Sequence, residues 1–223
     1  MHVLFPFKGI VFPHEGIVAI WKPIHMTSYD VIRVVRRATG VQNVGHAGTL
    51  DPLASGVLVV GIGRPATRHL GQVVLQEKEY RAVVRLGATS ATDDEEGEKT
   101  YQDITRIPGI DEVEKIVRNH IGIIVQTPPM YSALKIKGKP AYAYARAGEA
   151  IIMKPRRIEI KDIEILSYAW PVLTMRVVTG PGAYIRALAR DIGAALKVGG
   201  YLTVLERMRV GQYAAEGCIR LSI

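Results

Sequence analysis

The segment that most restricts this chain is Gly45-His46-Ala47-Gly48-Thr49-Leu50-Asp51-Pro52-Leu53-Ala54-Ser55-Gly56, which runs without a break into the apolar stretch Gly56 to Ile62. A stretch so rich in Val, Leu and Ile reads as an interior strand buried on both faces. The small residues before it describe a loop that another backbone or a ligand can approach closely. Pro52 fixes its own φ and pushes Asp51 towards an extended conformation, so the carboxylate is held in place. An aspartate held this way can serve as a nucleophile or a base, or can simply cap the amides of its own turn. The local sequence leaves both readings open.

Other elements follow from the same kind of pattern. Gly16 to Trp21 reads as a short buried strand stopped by Lys22-Pro23. Thr27 or Ser28 can cap a helix with Val31, Ile32, Val34, Val35 and Ala38 on its apolar face and Gly40 at its end. Tyr80 to Leu86 is a further strand, followed by an acidic loop. Asp111 is expected to cap a helix running through Val113, Ile116 and Val117 to Gly122. Ile158, Ile160, Ile163 and Ile165 mark a strand whose alternation breaks near Asp162, and Leu173 to Val178 is another. Ala183 to Leu196 reads as a helix on Ile185, Leu188, Ala189, Ile192 and Leu196. Strands outnumber helices and do not alternate with them one for one, so the fold class is α+β rather than a doubly wound sheet.

Composition narrows the partner. The chain has 223 residues, 29 Lys and Arg against 21 Asp and Glu, and a formal net charge of +8. That length suits one core, without repeats or linkers to mark a boundary. Five of the acids are grouped in Asp93, Asp94, Glu95, Glu96 and Glu98, a run that lacks calcium-loop spacing and reads as a solvated loop. The stretch Lys135 to Lys161 holds eight bases (Lys135, Lys137, Lys139, Arg146, Lys154, Arg156, Arg157 and Lys161) and two acids, with Tyr131, Tyr142 and Tyr144 in or beside it. Cations interleaved with tyrosines suit a nucleic-acid backbone and its bases, although a solvated basic face explains the same composition. Cys218 is the single cysteine, which excludes a disulfide framework and fits a reducing compartment. No apolar run approaches a membrane span, so a soluble, cytoplasmic protein is expected.

A second chemically suggestive segment is Thr179-Gly180-Pro181-Gly182-Ala183-Tyr184-Ile185-Arg186, a glycine turn opening a helix with Tyr184 and Arg186 in its first turn. Arg186 is either a surface charge or a guanidinium paired with a buried carboxylate or a phosphate. Gly61-Ile62-Gly63-Arg64-Pro65-Ala66 satisfies a dinucleotide-binding pattern, but Glu79 precedes the next strand where the ribose-binding acid should end it. The six histidines show no paired ligand spacing.

Taken together, these segments resemble the TruB family of pseudouridine synthases. The stretch Gly45 to Arg68 is similar to the family's signature. In collinear order, Lys22-Pro23 with Thr27-Ser28, Lys78-Glu79-Tyr80, Leu86-Gly87 to Gly97, and Gln126 to Lys135 with Gly138, Ala141-Tyr142 and Ala145 to Gly148 resemble further family motifs. Tyr184-Ile185-Arg186, Asp191-Ile192-Gly193 and Leu205 to Gly211 complete the series, from roughly Gly16 to Tyr213. The resemblance implies a pseudouridine synthase fold, a mixed and mainly antiparallel sheet flanked by helices with a central RNA-binding cleft. It implies isomerisation of a uridine to pseudouridine without cofactor or metal. The branch it is closest to acts on the T-loop uridine (position 55) of tRNA. Guide-RNA-dependent relatives usually have a polar residue and Lys-Val-Thr where this chain has Leu53-Ala54-Ser55.

Position by position, the resemblance makes Asp51 the nucleophile, Tyr80 the residue stacked on the target base, and Arg186 the partner of the Asp51 carboxylate. His46 is expected to hold the T loop open, and Tyr184 and Leu205 to line the uridine pocket. Lys22, Arg68 and Asp94 fall on RNA-facing or pocket-supporting positions. The expected division is an N-terminal extension over 1–15, a catalytic domain over 16–215 and a tail over 216–223, with no C-terminal PUA-type domain. The expected partner is the T arm of tRNA, bound by a monomer with no membrane contact. A non-catalytic tRNA-binding or tRNA-folding protein, or a guide-RNA-type synthase acting on another RNA, is the alternative. The turn before Tyr184, Gly180-Pro181-Gly182-Ala183, departs from relatives that more often have a Lys or Arg and a Thr there.

Overall fold

The computed structural model describes residues 11–136, 138–149 and 151–221; most of the N-terminal extension, Lys137 of the basic run and the last two residues of the tail lie outside them. In chain order the elements are β1 (Gly16–Lys22), α1 (Ser28–Thr39), β2 (Val44–Ala47), β3 (Ala54–Ile62), α2 (Arg64–Val74), β4 (Lys78–Leu86), β5 (Ala88–Ser90) and β6 (Lys99–Tyr101). There follow α3 (Ile110–Arg118), β7 (Gly122–Gln126), β8 (Lys135–Ile136), β9 (Lys139–Pro140), α4 (Ala141–Arg146), β10 (Arg156–Ala169) and β11 (Val172–Thr179). Last come α5 (Ile185–Ala195), β12 (Gly200–Val210), β13 (Tyr213–Ala214), a short 3-10 turn and β14 (Ile219–Arg220). Strands outnumber helices and their pairings are mainly antiparallel, β1 with β14 being a parallel exception. The class is α+β, as expected. The chain divides into two compact units, one of residues 1–80 and 206–223, the other of residues 81–205.

In the first unit, β3 pairs antiparallel with β1 and with β2. Its apolar run is explained by burial on both faces. Leu58, Val60 and Ile62 pack with Ile20 and with Val31, Ile32, Val34 and Val35 of α1. The alternate residues Val57 and Val59 pack with Ala19 and with Leu70 and Val73 of α2. A strand sandwiched this way loses its polar alternation because either face would expose apolar area to water. Each such side chain contributes on the order of 1.5–3 kcal/mol by leaving water. Helix α1 begins at Thr27, whose hydroxyl accepts from the Asp30 amide while the Asp30 carboxylate accepts from the Thr27 amide, and ends at Gly40.

In the second unit, β10 pairs antiparallel with both β7 and β11, and its register shifts between Ile160 and Asp162, where the alternation breaks. Val113 and Val117 of α3 are buried, and the helix lies against α5 and β10. Two expectations need correction. The α3 N-cap is Gly109 and the helix stops at Arg118, because Gly109 is already extended; Asp111 lies inside the first turn, where its charge still suits the helix dipole. Gly122 opens β7 instead of closing α3. Residues 45–47, expected as the start of the loop, belong to strand β2 (Val44–Ala47), because their partner on β3 lies beyond the loop and supplies the hydrogen bonds.

Candidate active site

Within the first unit the Asp51 loop is short and clamped at both ends. Leu50 and Leu53 are buried on either side of a half-buried Asp51. The Ser28 hydroxyl, at the first position of α1, accepts from the Leu50 amide at 2.9 Å and donates to the Leu50 carbonyl at 3.1 Å. The His25 amide donates to the Pro52 carbonyl at 2.8 Å and the Ala54 amide to the Asp51 carbonyl at 3.0 Å. These bonds consume the backbone polar groups around the aspartate and leave its side chain as the loop's variable chemistry.

Buried cations stand around that loop. Lys22 is fully buried and its ammonium donates to the carbonyls of Pro23 (2.9 Å) and Met26 (2.6 Å). Burial lowers its pKa to about 8 against the opposing pull of the Asp51 charge. Lys22 is therefore placed as a supporting group, with its ammonium turned into the protein. Arg207 of β12 is buried too, and burial lowers its pKa while Tyr80 and Asp51 raise it. Tyr80 is buried on β4, and desolvation raises its pKa despite the Arg207 guanidinium beside it. His46 is half-buried on β2; burial and Arg207 both hold its pKa below the ordinary histidine value, and its buried Nδ1 meets no protein partner. Arg68 lies exposed on α2.

Lys78, at the start of β4, closes the C-terminal end of α2 by donating to the carbonyls of Val74 (2.8 Å) and Gln76 (2.7 Å). Burial, reinforced by Arg207, lowers its pKa to about 8 from the ordinary 10.5. The folded protein thus releases the Lys78 proton at a lower pH than the unfolded chain does. Below about pH 8 both states are protonated and the cost of the buried charge is constant; between about 8 and 10.5 the folded state is relieved of it. Urea unfolding of wild type and Lys78→Met across pH 7 to 10 is therefore expected to show wild type gaining stability relative to the variant as pH rises through this window. A constant difference would contradict the burial of the charge.

Within the second unit Arg186 lies in the first turn of α5 and is 4% exposed. Its Nη1 donates to the Asp94 carboxylate at 3.2 Å and to the Thr92 carbonyl at 3.1 Å, and its Nη2 to the Tyr131 carbonyl at 2.7 Å. Of the two readings of Arg186, the buried carboxylate pair is the one observed. Asp94 is 2% exposed and also accepts from the Thr92 hydroxyl and from the Glu96 amide. Asp93 accepts from Arg190 at 2.7 Å, with burial raising its pKa. The acidic run is thus not a uniformly solvated loop: its first two members are pulled inward by Arg186 and Arg190, while Glu95 and Glu96 are exposed.

Tyr184 is the N-cap of α5 and not part of its first turn. It has no capping side chain of its own. The buried Gln126 pins the Tyr184 backbone, its Oε1 accepting from the Tyr184 amide at 2.9 Å and its Nε2 donating to the Tyr184 carbonyl at 3.2 Å. Tyr184 is half-buried and Leu205, on β12, is buried. Gln126 and Arg207 have no role assigned from the sequence, and Ser28, a cap candidate, yields that place to Thr27; only a distant backbone partner reveals what each does. Of the basic stretch, Lys135, Lys139, Arg146, Lys154, Arg156, Arg157 and Lys161 are exposed, and the Arg146 guanidinium lies 5.7 Å from the Tyr142 ring centre.

Two further features bear on excluded chemistries. Glu79 is 3.5 Å from Arg209, an ion pair rather than a free ribose-binding acid. Among the described residues no group of three or more His, Cys, Asp or Glu side chains could hold a metal ion, and no helix is long and apolar enough to cross a membrane.

A family model described as TruB family pseudouridylate synthase (N terminal domain) matches residues 36–185. The tRNA pseudouridine synthase B of Thermobifida fusca (strain YX) is 46% identical over 214 residues, covering 91% of this chain and 71% of its own length. That of Cutibacterium acnes (strain DSM 16379 / KPA171202) is 45% identical over 205 residues, covering 89% and 68%. Among solved structures, a chain of a Cbf5-Nop10-Gar1 complex is 30% identical with a TM-score of 0.71, covering 93% of this chain and 53% of that one. A chain of an H/ACA RNP bound to a substrate RNA containing 2'-deoxyuridine is 26% identical with a TM-score of 0.69, covering 93% and 51%. This chain spans about half the length of those solved chains.

Proposed function

Because the chain belongs to the TruB family of pseudouridylate synthases, we propose that it isomerises a uridine of tRNA, the T-loop uridine at position 55, to pseudouridine. The observation that carries this reading is the identity of 46% and 45% to proteins named tRNA pseudouridine synthase B over about nine-tenths of the chain. Identity to the solved chains of the Cbf5-Nop10-Gar1 complex and the H/ACA RNP is lower, at 30% and 26%, and Leu53-Ala54-Ser55 departs from the polar residue and Lys-Val-Thr that the family resemblance associates with guide-RNA-dependent relatives. The catalytic domain is the 16–215 segment, working as a cytoplasmic monomer on the T arm.

The isomerisation breaks the bond from N1 to C1′ and forms one from C5 to C1′, while the C5 proton is lost and N1 gains one, so no co-reactant is consumed. The base cannot turn while stacked, so it must be flipped out and its neighbours replaced. Asp51 is the nucleophile, held by the Ser28 clamp between two buried leucines. Tyr80 stacks on the flipped base, and His46, kept neutral by burial, holds the T loop open. Arg186 is the third catalytic residue of this reading, with Asp94 fixing the orientation of its guanidinium at 3.2 Å. Tyr184 and Leu205 line the uridine pocket, Arg68 meets the RNA, and Lys22 supports the Asp51 loop from within.

The test is to incubate the protein with unmodified tRNA and map pseudouridine by position. Product at the T-loop uridine supports the reading, and its absence under all conditions sinks it. RNA binding is also expected to weaken steeply with salt, since exposed bases of the 135–161 stretch would release counterions. Four phosphate contacts would give a log–log slope of roughly −3. A nearly flat slope in a filter-binding series would contradict a phosphate-led interface.

A further inference from the structure

Arg207 heads the fully buried side chains by volume among the described residues, at 1% exposure, and the proposed reaction assigns it no part. Its place is enforced by glycine. At Gly56, where φ is 118°, an added Cβ would come within 2.3 Å of the Arg207 carbonyl oxygen, so only glycine lets this part of β12 lie against the start of β3. From there the guanidinium reaches both ends of the Asp51 loop. Nε donates to the Val57 carbonyl at 2.7 Å and Nη2 to the Gly48 carbonyl at 2.9 Å. Tyr80 and Asp51 also act on the guanidinium electrostatically, both favouring its charged form.

The surroundings make this an expensive way to fill space. Arg207 disfavours the charged forms of Lys22, Lys78 and His46 nearby, and Asp51 is the acid that acts on it. An apolar side chain of similar volume would stabilise the fold as well or better. What it could not do is hold a carbonyl on each side of the loop at once, which the planar five-donor fork does, with donors left to face a neighbouring phenol.

We infer that Arg207 is a positioning residue for the reaction: it fixes the Gly48–Val57 loop that carries Asp51, and it occupies an acceptor site of the Tyr80 oxygen so that the phenolic O–H is oriented. This rests on Asp51 and Tyr80 acting as proposed above. Arg207→Lys keeps the charge and loses the fork, whereas Tyr80→Phe keeps the stacking ring and loses the hydroxyl.

Single-turnover pseudouridine formation on T-arm RNA is measured for wild type, both variants and the double variant. Arg207→Lys is expected to slow the step about 10- to 100-fold with RNA affinity changed less than about two-fold, and the double variant to be slower than Tyr80→Phe by clearly less than that factor. An unchanged rate for Arg207→Lys, or full additivity with Tyr80→Phe, overturns the inference. If Arg207→Lys does not fold, nitrogen-15 arginine spectra of wild type and Tyr80→Phe decide. The buried guanidinium resonance must shift when the hydroxyl is removed, and an unmoved resonance overturns the inference. A wild type that makes no pseudouridine refutes the proposed reaction, and the positioning inference with it. The resonance then reports only whether the Arg207–Tyr80 bond exists, so the two failures remain distinguishable.

Discussion

Asp51→Asn is expected to lower pseudouridine formation at least about 10³-fold while T-arm affinity stays within about two-fold of wild type. Asparagine preserves the shape of the side chain and the loop that holds it; what it loses is the anion proposed as the nucleophile. The Ser28 clamp and the buried Leu50 and Leu53 do not depend on that charge. The Lys22 ammonium does lose an opposing charge, so a modest drop in stability accompanies the change. Site-mapped pseudouridylation on a tRNA pool, run beside a binding assay, checks both halves of the statement. A non-catalytic tRNA-folding protein would behave differently: Asp51→Asn would then rescue folding as well as wild type.

Arg186→Met is expected to cost about 3–5 kcal/mol of folding stability, because it leaves the buried Asp94 carboxylate without its cation. Both partners are at most 5% exposed, so solvent screens little of their interaction. Asp94→Asn in the same chain should recover part of the loss, since a neutral amide is cheaper to leave buried than an anion. Urea unfolding of the two single variants and the double variant measures this. A loss below about 1 kcal/mol for Arg186→Met would mean that the pair contributes no more than an exposed one.

How legible these features were depended on how far away their partners lie. The apolar run of β3, the capped helix α1 and the break in β10 were all readable, because each is written in residues a few positions apart. β2 was not, since His46 and Ala47 look like part of a loop until Val60 and Val59 are placed opposite them. β12 was not read as a strand either: its pattern carries the buried Arg207, which breaks any simple alternation. The inward turn of Asp93 and Asp94 was likewise hidden, because a run of five acids looks solvated unless the arginines that pair with it are known.

The candidate site divides along the same line. The local sequence alone singled out Asp51 and Arg186, because a carboxylate between glycines and a proline, and an arginine behind a glycine turn, are unusual in chemistry as well as in conformation. The motifs in their order were enough to point to the family. Tertiary structure alone decided that Lys22 turns its ammonium inward, that Gln126 pins the Tyr184 backbone, and that Arg207 binds the loop of Asp51. The physical reason is common to all three. A buried polar side chain is defined by the partner that satisfies it, and these partners are backbone groups whose positions no local pattern encodes.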